Sequence, residues 1–373
     1  MTLSWTDLAK PEVRSLTPYE PGKPIEELER ELGISGAIKL ASNENPLPPS
    51  FAVLEAIRDA LASLNRYPDG SGFHLREALA KRHGVVPDHI LLGNGSNELI
   101  ELLVRVFMRV GEEVVMPTPS FVVYPLITQG AGGRKVEVPV REWRLDLPAM
   151  ARAITDRTRL LFIANPNNPT GTIVTAEEVR AFMADVPERV IVVFDEAYFE
   201  FAQGPDFPDS LGYLRDERKV VILRTFSKIA SLAGLRVGYA LAAAECVSLM
   251  NRIRQPFNVN SLAQVAALAA LGDDEHIRRS VAVVEQGKHE LYQAFEGLGI
   301  PYVPTRANFV LVRVPHAASI YQALLHDGVI VRPMGGFGLG SALRITIGTP
   351  NENARLIEAL RRVLKPVGGE VER

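Results

Sequence analysis

The chain has 373 residues, 47% hydrophobic and 23% charged, which is ordinary globular usage and excludes disordered and fibrous classes. That length suits a two-domain enzyme better than one small core. The formal net charge is −3, with acids and bases mixed along the chain, so there is no footprint for nucleic acid or an anionic membrane.

The N-terminal stretch MTLSWTDLAKPEVRSL has early acidic and proline residues and no apolar h-region, so a secretory signal is not expected. No apolar run approaches a membrane span, and the expected location is cytoplasmic. The first 40 residues read as irregular. In LTPYEPGKP (16–24), Pro18, Pro21 and Pro24 predict an extended arm that presents Tyr19 stiffly.

From Phe51 to Leu64 apolar residues recur at helical spacing, and Ser50 can cap that helix. HILLG (89–93) predicts a strand and GSNELIELLVRVFMR an amphipathic helix after it. EEVVMP is a strand, FVVYPLITQGA a helix, RLLFIANP a strand, and TAEEVRAFMADV a helix opened by a TxxE capping pair. RVIVVFDEA, KVVILRTFS and GYALAA are further strands. Runs such as VIVVF predict strands covered on both faces, as in a parallel sheet flanked by helices. The single cysteine, Cys246, makes no internal disulfide and belongs to no zinc-type spacing, so it reads as a packed thiol and no metal is expected.

Beyond about residue 272 a long charged helix leads into NFVLVRV, VIVRP, ALRITIG and a terminal helix. The expected organisation is an α/β fold with an N-terminal arm (1–40), a large α/β domain (41–271) and a small C-terminal α+β domain (272–373) that the arm joins.

Four short segments carry chemistry. GNGSNE (93–98) sets two glycines before a helix N-terminus, which offers free N–H groups to an anion; it is neither GxGxxG nor a P-loop. NPNNPTG (165–171) is a turn by composition, but it leaves Asn168 just past the carboxyl end of a strand, where open α/β sheets bind ligands. In VVFDEAY, Asp195 and Tyr198 follow an apolar strand, where a carboxylate is costly without a cation or a proton. KVVILRTFSK brings Ser227 and Lys228 to another strand end, with Arg236 eight residues further on. Together these fit a phosphate-bearing pyridine aldehyde. The lysine amine would condense with the aldehyde, and the carboxylate would keep the ring nitrogen protonated. Asn and Tyr would bind the ring hydroxyl; backbone N–H groups, Ser227 and Arg236 would take the phosphate.

With NPNNPTG, FDEAY and SK followed by AGLRVG, the chain resembles the fold-type I pyridoxal-phosphate aminotransferases, the group that includes aspartate aminotransferase. The resemblance implies a mostly parallel, seven-stranded-type sheet in the large domain and pyridoxal 5'-phosphate as cofactor. It implies Lys228 as the Schiff-base lysine, Asp195 as the pyridinium partner, and Asn168 and Tyr198 on the ring hydroxyl. Gly95, Ser96, Asn97, Ser227 and Arg236 match its phosphate cup, and Phe121 matches the aromatic stacked on the ring. Tyr67, in NRYPDG, matches a tyrosine that reaches the phosphate from the neighbouring subunit, implying a homodimer with a shared active site. Arg344 corresponds to the arginine gripping the substrate α-carboxylate; Arg332 is a second cation one strand away.

The arm, LASNENPLPPS after it, and VIVRPM…LRITIGTPNEN are similar to the histidinol-phosphate aminotransferases of bacteria. That likeness implies Tyr19, Arg332 and Arg344 as substrate ligands, and histidinol phosphate with 2-oxoglutarate and glutamate as substrates. Pro48 and the Ile229–Ser231 run depart from the common pattern. An aromatic-amino-acid aminotransferase remains an alternative, since Phe121, Tyr19 and Phe337 can line an aryl pocket, as does a phosphothreonine-type decarboxylase.

Overall fold

The computed structural model describes residues 3–364; the outermost parts of the expected arm and C-terminal segment, 1–2 and 365–373, lie outside the described residues. Strand β1 (Ile38–Lys39) comes first. Seven strands follow: β2 (Ile90–Gly93), β3 (Glu113–Thr118), β4 (Arg134–Pro139), β5 (Thr158–Ala164), β6 (Ile191–Asp195), β7 (Val220–Thr225) and β8 (Gly238–Ala242). These form one sheet in the order β2-β8-β7-β6-β5-β3-β4. The last strands are β9 (Tyr302–Val303), β10 (Phe309–Arg313), β11 (Val329–Ile330), β12 (Arg332–Pro333) and β13 (Ala342–Thr346). An antiparallel sheet runs β12-β13-β10-β9, while β1 pairs with β11 in parallel.

The central strands are apolar throughout because each buries both faces. Leu161, Val192 and Ile222 point into one core, and Leu160, Val193 and Val221 into the other. The helix Gly95–Phe107 covers the second core with Leu99, Ile100 and Leu103, whereas Ala176–Asp185 and Phe73–His83 cover the first. The expected capping pair is present: Thr175 and Glu178 satisfy each other's backbone donors. Ser50 Oγ likewise accepts from Val53 N.

The seven-stranded sheet is mostly parallel, as the resemblance implied; β8 alone runs antiparallel, to both β2 and β7. Two readings need correction. The edge strand β4 was not expected at all, because RKVEVP alternates charge with valine and stays largely exposed. The arm is not irregular throughout, since it holds helices Trp5–Leu8, Pro11–Arg14 and Ile25–Leu32. The first is fixed by a Ser4/Asp7 capping box, and the third ends on left-handed Gly33. Residues 16–24 between them carry no regular element, as the prolines require.

The reversed β8 has a consequence for the site. Its N-terminal end lies at the edge where β6 and β7 finish, so Arg236, just before it, meets the loop after β7 and the turn after β2. At that edge Arg224 and Glu196 are buried and paired, Nη2 to Oε2 at 2.8 Å, with the guanidinium 3.6 Å above the Phe199 ring. No described helix is long and apolar enough to cross a membrane.

Arg224→Met strands the Glu196 carboxylate and should cost about 3–5 kcal/mol, read as a lower urea midpoint of the apoprotein. Adding Glu196→Gln should recover much of that loss; a double variant as unstable as the single would show that the charge pair is not the cause.

Candidate active site

One cavity opens at the carboxyl ends of β5, β6 and β7. It is lined by Asn168, Asp195, Tyr198, Ser227, Lys228 and Arg236, and across from them by Tyr19, Ser96, Asn97, Phe121, Arg332 and Arg344. Gly95 stands behind Ser96; Phe337 also lines the wall. Tyr67 is not brought here. It is 83% exposed and stacks on Phe257 with ring centroids 4.6 Å apart.

Lys228 Nζ donates to the Ser42 carbonyl at 3.0 Å. Its ammonium is held down to about 7, first by desolvation and then by repulsion from Arg344 and Arg236, with Glu44 pulling the other way. Asp195 is buried, and no cation pairs with it among the described residues. Its Oδ2 accepts from the Tyr124 hydroxyl at 2.6 Å and its Oδ1 from Ala197 N at 3.2 Å. Burial pushes this carboxyl up, against those hydrogen bonds. Tyr198 Oη accepts from Asn43 Nδ2 at 2.9 Å, which leaves its own proton free to donate into the cavity.

At the other end, the helix Gly95–Phe107 has no side-chain cap. Gly95 has φ of +72°, and a Cβ there would stand 2.5 Å from Arg236 Nη2. Only glycine lets the guanidinium lie against the free N–H groups of this helix end. Gly238 serves the same approach, since its Cβ would meet Ser96 N at 2.8 Å. Arg236 itself sits in the left-handed region at φ +57° and, among the described residues, bonds only Ser227 Oγ and the Ala233 carbonyl. A cation, a hydroxyl and bare N–H groups converge without a carboxylate among them, which is the donor set of a phosphate. The buried carboxylate without a cation suits a protonated ring nitrogen, and the amine of Lys228 suits an aldehyde. The residues fit the phosphate-bearing pyridine.

Arg332 and Arg344 are direct cross-strand partners on β12 and β13. Like charges opposite each other destabilise a sheet unless an anion lies between them. Arg344 Nη1 donates to Asn168 Oδ1 at 2.5 Å and Nη2 to the Ala41 carbonyl at 2.8 Å, while its buried Nε has no partner among the described residues. Arg332 reaches the Glu20 carbonyl at 2.5 Å and lies 5.2 Å from the Tyr19 ring centre. The arm thus closes over the arginine pair.

Sequence reasoning missed Ser42, Asn43 and Tyr124. Asn43 has φ of +55°, but a left-handed asparagine in SNENP leaves no mark in the sequence. Tyr124 falls at a helical apolar position and reads as packing. Cys246 is a packed thiol whose pKa burial raises to about 12. Among the described residues no group of three or more His, Cys, Asp or Glu is arranged to hold a metal ion.

The Lys228 amine gives a pH signature in the apoprotein. Its folded pKa of about 7 lies below the ordinary 10.5, so between these values the unfolded chain binds the extra proton and stability rises with pH. Lys228→Met lacks this term. The variant should be the more stable below pH 7, and the gap should close towards 10.5; a pH-independent gap would contradict the assignment.

Comparison with known proteins agrees with this geometry. The family model for class I and II aminotransferases matches residues 35–360. Histidinol-phosphate aminotransferase 2 of Pseudomonas fluorescens Pf-5 is 51% identical over 96% of this chain and 97% of that protein. The histidinol-phosphate aminotransferase of Moorella thermoacetica is 49% identical over 94% and 92%. The crystal structure of the Sinorhizobium meliloti histidinol-phosphate aminotransferase, in complex with pyridoxal-5'-phosphate, superposes with a TM-score of 0.88 at 31% identity, covering 95% of this chain and 97% of that one. A helix end bare of its cap, a buried carboxylate and a depressed lysine are shared out among the strand ends of one sheet, and the match spans them all: the chain belongs to the class I and II aminotransferase family.

Proposed function

We propose that this protein is a pyridoxal-phosphate-dependent aminotransferase of histidine biosynthesis, interconverting L-histidinol phosphate and 2-oxoglutarate with imidazole acetol phosphate and L-glutamate. The observation that carries the substrate reading is the arginine pair, Arg332 opposite Arg344, under the arm residue Tyr19. Two guanidiniums on one wall match a phosphate dianion in one half-reaction and a dicarboxylate in the other. The near-full-length identity to histidinol-phosphate aminotransferases supports the same choice.

When bound, the cofactor supplies an aldehyde that captures amino groups and a ring that accepts an electron pair. Arg236, Ser227 and the N–H groups of Gly95 to Asn97 would hold its phosphate. Asp195 would hold a proton at the ring nitrogen, Asn168 and Tyr198 would bind the ring hydroxyl, and Phe121 would cover one face. Lys228, with an ammonium that releases its proton near neutrality, is the nucleophile first. Once displaced it would take the proton from the amine-bearing carbon of the substrate as base, and as acid would deliver it to the carbon that the aldehyde supplied. Arg344, already fixed by Asn168, would bind the α-carboxylate of glutamate.

The reading includes a homodimer in the cytoplasm, with Tyr67 reaching the partner's phosphate site, and the division into arm (1–40), large domain (41–271) and small domain (272–373). Exposed Phe51, Leu54, Leu61 and Leu64, on the helix and turn that precede Tyr67 in the chain, support a covered face.

Borohydride reduction of the holoenzyme should fix the cofactor on the Lys228 peptide by mass spectrometry. Lys228→Ala should lose that adduct, and turnover should fall by at least ~10²–10⁴-fold; an adduct elsewhere would sink the assignment. Histidinol phosphate should outpace phenylalanine as donor. Faster phenylalanine would favour the aryl reading that Tyr19, Phe121 and Phe337 allow, and carbon dioxide release would favour a decarboxylase. Tyr67→Phe should weaken cofactor binding by about 10- to 100-fold in a protein that sediments as a dimer. A monomer of full activity would remove Tyr67 from the site.

A further inference from the structure

We propose that Tyr124 is the positioning residue of this site: its hydroxyl aims the Asp195 carboxylate at the cofactor's ring nitrogen, and its ring sets Phe121 against the ring face. The proposal rests on the reading of Asp195 given above.

Tyr124 lies in the first turn of the helix Val123–Gly130, where Pro125 is tolerated because first-turn N–H groups have no helical partner. The side chain is fully buried, yet it lines the cofactor cavity. Its ring stacks on Phe162 of β5, centroids 4.3 Å apart and planes 10° from parallel. It meets Phe121 edge-on at 5.6 Å and 85°. Phenylalanine would fill this space equally well. The hydroxyl is a buried donor whose one partner is Asp195 Oδ2, at 2.6 Å.

With Oδ1 taken by Ala197 N, each carboxylate oxygen is pinned by one donor, and its remaining lone pairs are free for the cavity. Donation to the anion also opposes the effect of burial on Asp195. Glu196, paired with Arg224, stands beside it and disfavours its charge. Lys228, Arg236 and Arg344 line the same cavity, and the Tyr198 phenol adjoins. Without the Tyr124 hydroxyl, Asp195 would take a proton at higher pH and could no longer accept from a protonated ring nitrogen.

Pyridoxal 5'-phosphate titrated into apoprotein across pH 5 to 8, followed by fluorescence, tests this with wild type, Tyr124→Phe and Asp195→Asn. The cofactor's phosphate and the Lys228 amine ionise in all three, so the differences between the proteins isolate the carboxyl. In Tyr124→Phe, affinity at neutral pH should fall on the order of tenfold. The carboxyl's part of the acid limb of binding should move up by about one pH unit. Asp195→Asn should lose affinity and keep only the limb that Lys228 and the phosphate contribute. If Asp195→Asn behaves so while Tyr124→Phe follows wild type, the Tyr124 proposal alone fails. If Asp195→Asn follows wild type, the reading of Asp195 fails first. A Tyr124→Phe protein that loses affinity with no shift of the limb, or that does not fold, would make the hydroxyl merely structural and overturn the proposal.

Discussion

The molecule is organised around a carboxylate that it buries without giving it a cation. A buried anion of this kind costs several kcal/mol unless something positive arrives to meet it. Asp195 ends a strand whose other residues are valine, isoleucine and phenylalanine, and it cannot turn outward without lifting that strand off its neighbours. The apolar sheet therefore does more than support the site. It leaves the carboxylate almost without solvent exposure, so that a protonated heterocycle would relieve the cost. The depressed lysine follows the same logic, because the desolvation that penalises an anion here also penalises an ammonium.

The two ends of the cavity use different physics. The end assigned to the ring offers fixed, buried side chains: Asp195, Tyr198 held by Asn43, and Asn168 held by Arg344. The end assigned to the phosphate offers dipoles and backbone brought unusually close. Gly95 and Gly238 create that closeness, and the reversed strand β8 delivers Arg236 to it. The left-handed backbone at Arg236 is a local strain that an ordered phosphate would offset.

Much of this was legible in the sequence for a simple reason. Asp195 closes an apolar β-branched run, and Asn168 and Lys228 follow such strands within four residues, so the contrast itself marks them. Tyr124 offers no such contrast, because a tyrosine among valines and leucines at helical spacing is what a core helix needs. Asn43 was hidden by its loop, and β4 by an edge position that lets charges alternate with valines. The direction of β8 was not legible either: GYALAA is equally good in both senses, and only its neighbours decide. Tyr67 matched a family motif, but within this chain its ring lies on Phe257 at the surface, away from the cavity.

The facing arginines set a rule about chain length. Arg332 and Arg344 share a face only because β12 and β13 pair in one register, and side chains alternate with a period of two. A single residue inserted within either strand would turn one guanidinium to the opposite face of the sheet while leaving the fold's outline unchanged. The segment 334–341 that joins them does not set this register, although Phe337 within it lines the cavity. Changes in its length therefore leave the two guanidiniums on one face, whereas an odd insertion in the strands beside it separates them.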